Sequence, residues 1–274
     1  MPHVKDHWEW SLAVTCFFFY IHAYYLVDRA IYNQGKNETA PDHPWRKYRL
    51  QDQYEIERAR KRGLPRPKTN LQPWNWKAWI FELPLYVVPL YIWDVLQPRR
   101  HYGIAKWGAP TVSQICRDVT CGLLLYDLGF FVVHYTMHKM PFIYRWFHAK
   151  HHINTEVRAA DIVRLSGVEE VMDVGISILA LRYLGCHPVS RSIYNMIITF
   201  LLTELHCGYD FPWTPQNVVP FGLATGSRGH HYHHRFGRHY YQKFFCTVDR
   251  LFGFVDRKTE QAKVALERRD VVIN

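Results

Sequence analysis

The chain has 274 residues, with 34 Lys and Arg against 24 Asp and Glu and a formal net charge of +10. Its six cysteines form no CxxC pair, which excludes a zinc ribbon and a dense disulfide framework. Aromatic residues make up 16%, and this directs the basic charge toward a membrane surface rather than nucleic acid, because Trp and Tyr collect at the bilayer interface.

Residues 8–27, WEWSLAVTCFFFYIHAYYLV, form an apolar run of the roughly 20 residues that a spanning helix needs. A cleaved signal would need a basic start and a small-residue cleavage site; bulky YYLVDRA stands there instead. A retained first membrane helix is therefore expected. Residues 31–76 hold 10 Lys and Arg against 5 Asp and Glu and are rich in proline. Beside a membrane helix this segment predicts a cytosolic loop facing anionic lipid.

Three more apolar regions follow. Residues 77–96, KAWIFELPLYVVPLYIWDVL, predict a second crossing. Residues 112–133, VSQICRDVTCGLLLYDLGFFVV, predict a third that runs into a histidine pair. Residues 168–205 predict a helical hairpin broken by GCHP at 185–188. Its first arm carries Glu169, Glu170, Asp173 and Arg182, so that arm is expected to be partly interfacial. With the basic loop in the cytosol, every histidine cluster lands on the cytosolic side. The same topology predicts that the sequon Asn37-Glu38-Thr39 is not glycosylated. The sequence divides into N-terminal membrane helices and basic loop (1–110), a catalytic domain (111–256) and a charged tail (257–274). The tail carries no dilysine or KDEL-type address.

Seventeen histidines are the unusual feature, and nine of them fall into four clusters. HYTMH places His134 and His138 four apart, on one helical face. HAKHH gives His148, His151 and His152. ELHCGYD centres on His206. HHYHH gives His230, His233 and His234 at the spacing of the second cluster, with His231 as an extra member. Each HxxHH spacing predicts a single helical face. A lone HxxxH in an apolar helix is more often packing than ligation, but two HxxHH copies, one HxxxH and an isolated His within 101 residues are not a packing pattern.

Imidazole suits iron, copper, zinc and nickel. Nine ligands exceed one ion, so two ions are expected. A structural zinc site is closed, four-coordinate and usually holds thiolates. An all-imidazole pair with open positions suits oxygen activation by iron, with zinc as a substitute acquired in purification. Neutral imidazoles do not offset metal charge, so Glu204, Asp210, Asp161 and Asp127 are candidates for supporting carboxylates. His231 and His239 are candidates for supporting donors. His187, at the hairpin turn, is expected to be structural.

PFIYRWFHAKHH, GCHP, HCGYDFPW, VVPFG and GHHYHH occur in this order. Together they resemble the integral-membrane fatty acid hydroxylase/sterol desaturase superfamily, over roughly residues 120–253. The resemblance implies an all-α membrane bundle of about four to five segments with a cytosolic helical cap. The cap would hold a di-iron centre that uses dioxygen and electrons, relayed from NAD(P)H through cytochrome b5 or a reductase. It implies an endoplasmic reticulum membrane enzyme that hydroxylates an unactivated C–H bond of a sterol or other lipid. Box by box, His134 and His138, then His148, His151 and His152, then His206, then His230, His233 and His234 match the family's ligands. In fatty acid hydroxylases a further ligand stands four residues after the isolated histidine; here that position is Asp210. After the third box the sterol-hydroxylase pattern has two asparagines near Arg238 and Tyr240 and a tryptophan at Val248, whereas this chain keeps only Asp249 and LFG at 251–253. The alternatives are a desaturase, a methyl-sterol oxidase or a terpenoid oxidase of the same superfamily. From a different class, a His-rich zinc or copper transporter is the rival. A transporter would set its histidines deep inside the spans, not at one face.

Overall fold

The computed structural model describes residues 8–35, 43–65, 84, 87–88, 91–92, 108–153 and 156–256. The expected second crossing at 77–96 falls almost wholly outside them, as do the sequon and the tail. In chain order the helices are α1 (Trp8–Gly35), α2 (Leu50–Lys61), α3 (Val112–Lys139), α4 (Gly167–Tyr183), α5 (Pro188–Leu205), α6 (Gly226–Phe236) and α7 (Thr247–Leu251). Shorter helical turns join them. Among the described residues the only extended pairings are two isolated bridges, Arg49 with Tyr209 and Ala224 with Phe245.

Helix starts follow from the local sequence. The Thr111 hydroxyl accepts from the Gln114 N–H and caps α3. Ser166 caps α4 in the same way through the Glu169 N–H. The expected hairpin at 168–205 is present as α4 and α5. Gly185 adopts φ +59° at its turn, a conformation a Cβ would oppose. His187 Nδ1 accepts from the Val189 N–H, and Pro188 opens α5 where no N–H is needed. His187 is thus a capping residue.

Helix α5 is central. It packs against α1 on one side and α3 on the other, and α3 in turn packs against α4. Phe17 and Ile21 of α1, Tyr126 and Phe130 of α3, Leu181 of α4 and Tyr194, Ile198 and Leu202 of α5 share one apolar core. Phe244, from the loop after α6, closes it and stacks on Tyr126 at 5.5 Å. The outer faces stay apolar and exposed at Phe19, Leu26, Leu124, Leu128, Val132 and Leu179. Among the described residues one helical segment, Ser11–Gly35, is long and apolar enough to cross a membrane.

The basic segment departs from its expected form. Residues 43–65 are not an open loop: they are largely helical and partly packed on the rest of the protein. Arg46 and Arg49 are buried and both pair with Asp52, at 3.0 and 2.8 Å. The Leu50 N–H donates to the Gly208 carbonyl, and the Asp210 N–H donates to the Tyr48 carbonyl. Arg235 of α6 lies over the Tyr54 ring at 3.4 Å and donates to Gln51 at 3.1 Å. The segment therefore clamps the residues after His206 and the end of α6. Lys47 and the far end of α2 stay exposed; there Arg58 pairs with Glu55, and Arg60 and Lys61 share Glu57. Burying two arginines is tolerable only because each guanidinium meets a carboxylate.

The first arm of the hairpin is also less interfacial than expected. Glu169 and Glu170 are buried. Asp173 pairs with Lys243 at 2.7 Å.

The packing of α3 on the hairpin depends on a small residue. A Cβ on Gly122 would stand 3.1 Å from Leu181 and from Tyr194. Gly122→Leu is expected to lower stability by about 1–3 kcal/mol through overpacking. Thermal unfolding in detergent reads this, and an unchanged midpoint would contradict the packing described.

Candidate metal centre

The nine histidines converge as two groups. His134, His138, His148, His152 and His233 form the first, and His151, His206, His230 and His234 form the second. Within each group one ring nitrogen per residue lies within 4.8 Å of all the others. Most of these imidazoles are buried.

Local structure decides how each box divides. His134 and His138 stand one turn apart on α3 and enter the first group together. His148 ends a π-helical turn, Tyr144–His148, and His151 opens a 3-10 turn, His151–Ile153. The second box is therefore not one regular helical face. His148 and His152 point to the first group and His151 to the second. The third box does lie on a regular helix, α6, yet it also splits. At about 100° per residue, His230 and His234 stand close together on the surface of α6 while His233 turns away. His230 and His234 enter the second group and His233 the first. The expectation of one face per HxxHH is corrected: in each box the outer pair serves one group and the middle histidine the other.

The nitrogens are close. His148 Nε2 lies 3.1 Å from His134 Nε2, 2.9 Å from His138 Nε2 and 2.9 Å from His152 Nε2. In the second group the Nε2 atoms form a ring: His151 to His206 3.4 Å, His206 to His230 2.9 Å, His230 to His234 3.0 Å and His234 to His151 3.1 Å. Metal–nitrogen distances of about 2.0–2.1 Å place neighbouring ligands roughly 2.9–3.4 Å apart for right-angled to tetrahedral geometry. Both groups have that spacing.

The outer nitrogens explain the inner ones. His134 Nδ1 donates to the Tyr241 carbonyl at 2.7 Å. His233 Nδ1 donates to the His239 carbonyl at 2.7 Å, and His206 Nδ1 to the Leu202 carbonyl at 2.9 Å. His148 Nδ1 meets the Glu169 carboxylate at 2.8 Å. A carbonyl only accepts, so each of these rings carries its proton on Nδ1 and turns a bare lone pair inward. The 3.1 Å contact between His134 and His148 is then lone pair against lone pair. His233 Nε2 is buried with no hydrogen-bond partner. A cation at the centre of each group resolves both features, so the donor set fits a pair of metal ions.

The electrostatics favour the neutral ligand form. Burial, then the neighbouring His148 ring and Lys139 ammonium, pushes His138 down to about 3. Burial pushes His206 down to about 3 as well. His134, His151, His230, His233 and His234 move in the same direction for the same main cause. Neutral imidazole is the metal-binding form.

The other expected residues stand elsewhere. Asp210 is in an ion pair with Arg228 and accepts from Gln216 and Asn217 at 2.9 Å each; it is not among the converging atoms. Glu204 is buried two residues before His206 but belongs to neither group. Asp161 accepts from the Arg158 N–H and caps a short helical turn. His231 is buried on α6 outside both groups, and burial pushes it down to about 4. His239 contributes through its backbone carbonyl rather than its ring. Two consecutive non-glycine residues there adopt left-handed backbone, His239 at φ 67° and Tyr240 at φ 50°. Each costs on the order of 1–3 kcal/mol. Glu169 is the contributor that sequence reasoning missed. It looked like an interfacial acid, and its one sequence signal is its place three residues after the capping Ser166. The carbonyls of Leu202, His239 and Tyr241 leave no side-chain signal at all.

Comparison with known proteins adds an independent line. Residues 119–254 match the fatty acid hydroxylase family, and all nine converging histidines lie inside that range. A cholesterol 25-hydroxylase-like protein of Danio rerio is 37% identical over 146 residues, covering 53% of this chain and 58% of the relative. Human cholesterol 25-hydroxylase is 34% identical over 175 residues, covering 64% and 63%. A cholesterol 25-hydroxylase-like protein of Caenorhabditis elegans is 31% identical over 192 residues, covering 70% and 60%. The chain thus spans about six-tenths of the length of these relatives. No solved structure matches it.

The lowered imidazoles make a prediction about pH. Their folded values lie below the ordinary 6.5, so the folded metal-free protein binds fewer protons than the unfolded chain once pH falls below 6.5. Stability is full above that value. Below it, each such ring is expected to cost about 1.4 kcal/mol per pH unit until its folded value is reached. Denaturation midpoints of chelator-stripped protein between pH 7.5 and 5 test this, and a flat profile would contradict it.

Proposed function

Residues 119–254 form a domain of the fatty acid hydroxylase family, and on that premise we propose that the chain is a membrane-bound di-iron oxygenase that hydroxylates an unactivated C–H bond of a sterol or related lipid. The observation that carries this reading is the division of nine mostly buried imidazoles into two groups with inward lone pairs. The names of the relatives support a sterol as the substrate class.

His134, His138, His148, His152 and His233 would hold one ion, and His151, His206, His230 and His234 the other. When bound, a pair of iron ions supplies the dioxygen activation and C–H oxidation that side chains cannot perform. The protein's own part is holding, orienting and drying the site. Glu169 and the carbonyls of Tyr241, His239 and Leu202 fix ring tautomers and raise ligand basicity. Glu169 also places a negative charge beside neutral ligands that bring none. Phe130, 5.0 Å from His134, and the stacked Tyr126 and Phe244 set an apolar wall between the metal groups and the helical bundle. That wall suits an apolar substrate entering laterally from the bilayer. Asp210 has no ligand role in this reading, because Arg228 neutralises it.

The wider setting follows the same reading. The enzyme lies in the endoplasmic reticulum membrane with its boxes toward the cytosol. Electrons come from NAD(P)H through a cytochrome b5-type donor or a reductase. The exposed basic end of α2 supports an acidic docking partner.

Anaerobic reconstitution is expected to give two iron ions per chain. Cells expressing the wild type under labelled dioxygen are expected to accumulate one oxidised lipid bearing one label. His151→Ala and His138→Ala are each expected to reduce that product to background and to lower iron content. Sterol and lipid profiling by mass spectrometry reads the outcome. Wild-type protein that holds no redox-active iron, with substituted zinc excluded, and oxidises no lipid would sink the proposal.

A further inference from the structure

The loop after α6 holds two carbonyls against metal-group histidines, Tyr241 on His134 and His239 on His233. A loop that must aim two carbonyls needs its own N–H groups fixed. Five consecutive backbone N–H groups, from residue 241 to residue 245, end on two buried carboxylates. Asp249 accepts from Tyr241 at 2.9 Å and from Gln242 at 2.9 Å. Asp127, on α3, accepts from Lys243 at 2.9 Å, Phe244 at 2.8 Å and Phe245 at 3.1 Å. The Gln242 side chain joins the two centres. Its Nε2 donates to Asp127 at 2.8 Å, and its Oε1 accepts from Val248 at 2.6 Å and Asp249 at 3.2 Å. Both carboxylates are fully buried.

Two buried carboxylates with no ligand role need a reason. The loop supplies one. It holds two successive left-handed residues, His239 and Tyr240, whose backbone persists only under outside restraint. The Tyr240 N–H is tied to the Phe254 carbonyl, and the N–H groups of residues 241–245 to Asp249 or Asp127. Asp127 also stands two helical turns before His134 on α3. One helix thus carries both a histidine of the first group and the anchor for that histidine's carbonyl partner.

We propose that Asp127 and Asp249 are positioning residues for the five-imidazole group alone: they hold the 239–245 loop so that its carbonyls fix the tautomers of His134 and His233. The four-imidazole group takes no carbonyl from this loop; His206 is held by Leu202 of its own helix. This inference rests on the two-metal reading above.

The experiment uses the full chain in detergent, stripped by chelator and titrated with cobalt(II), whose visible spectrum depends on coordination number. Wild type, Asp249→Asn, Asp127→Asn and Gln242→Leu are compared, with His206→Ala as the reference for damage to the other group. Supporting-shell losses of this kind weaken metal affinity by about 10–100-fold. That weakening is expected for one of the two ions in both Asn variants, with the spectrum and affinity of the other unchanged. His206→Ala should show the reverse selectivity. A merely structural role would weaken both ions together and lower the melting temperature without selectivity. If the Asn variants do not fold, Gln242→Leu decides, because it cuts the link and leaves both carboxylates; it should weaken the same ion by a smaller factor. Equal weakening of both ions, or no weakening in a folded variant, overturns the proposal. Wild type that binds fewer than two ions overturns the two-metal reading and this inference together, which separates the two failures.

Discussion

Everything in this molecule is arranged around a repulsion. Nine imidazole nitrogens are held a few ångströms apart in a mostly buried space, several with lone pairs aimed at one another. Left alone, such rings rotate away or take up protons. Burial blocks the second route by penalising the charged form. Outer hydrogen bonds block the first by fixing ring orientation. A cation in each group would satisfy the lone pairs, and metal binding would then share its free energy with folding.

The helical bundle makes that concentration possible. Helix α3 brings the first pair and α5 delivers His206 at its C-terminal end. Helix α6 then lies between the groups and divides its own histidines. The 3.6-residue period does the dividing: positions four apart stay near one another, and the one between them turns away. The irregular turns at 144–153 achieve the same division without a regular helix. The two HxxHH boxes thus cross-link the groups from opposite sides, each giving two histidines to one and one to the other.

Two unlike devices stabilise this arrangement from outside. On the apolar side, Tyr126, Phe130 and Phe244 seal the site against the core. On the polar side, residues 43–61 fold back and pair their buried arginines with Asp52. The segment that looks most like a membrane-facing basic loop commits two of its arginines to structure. Lys47 and the tip of α2 stay exposed. A run of Lys and Arg reports charge, but whether a given arginine faces water depends on the acid it meets, here Asp52 three and six residues away.

The sequence by itself determined the chemistry. Histidine spacing named all nine converging residues, and the apolar run broken by GCHP at 185–188 named the hairpin. These are local properties, set by residue type and short-range periodicity. Only the tertiary structure decided which histidine joins which group, because that depends on how α6 and the turns at 144–153 are rotated against α3 and α5. It alone revealed Glu169 and the three carbonyls, since an acceptor's role depends on what lies opposite it. It moved Asp210 out of the site, because Arg228, 18 residues away, reaches it first. Spacing encodes what can bind; packing decides what is shared, and between whom.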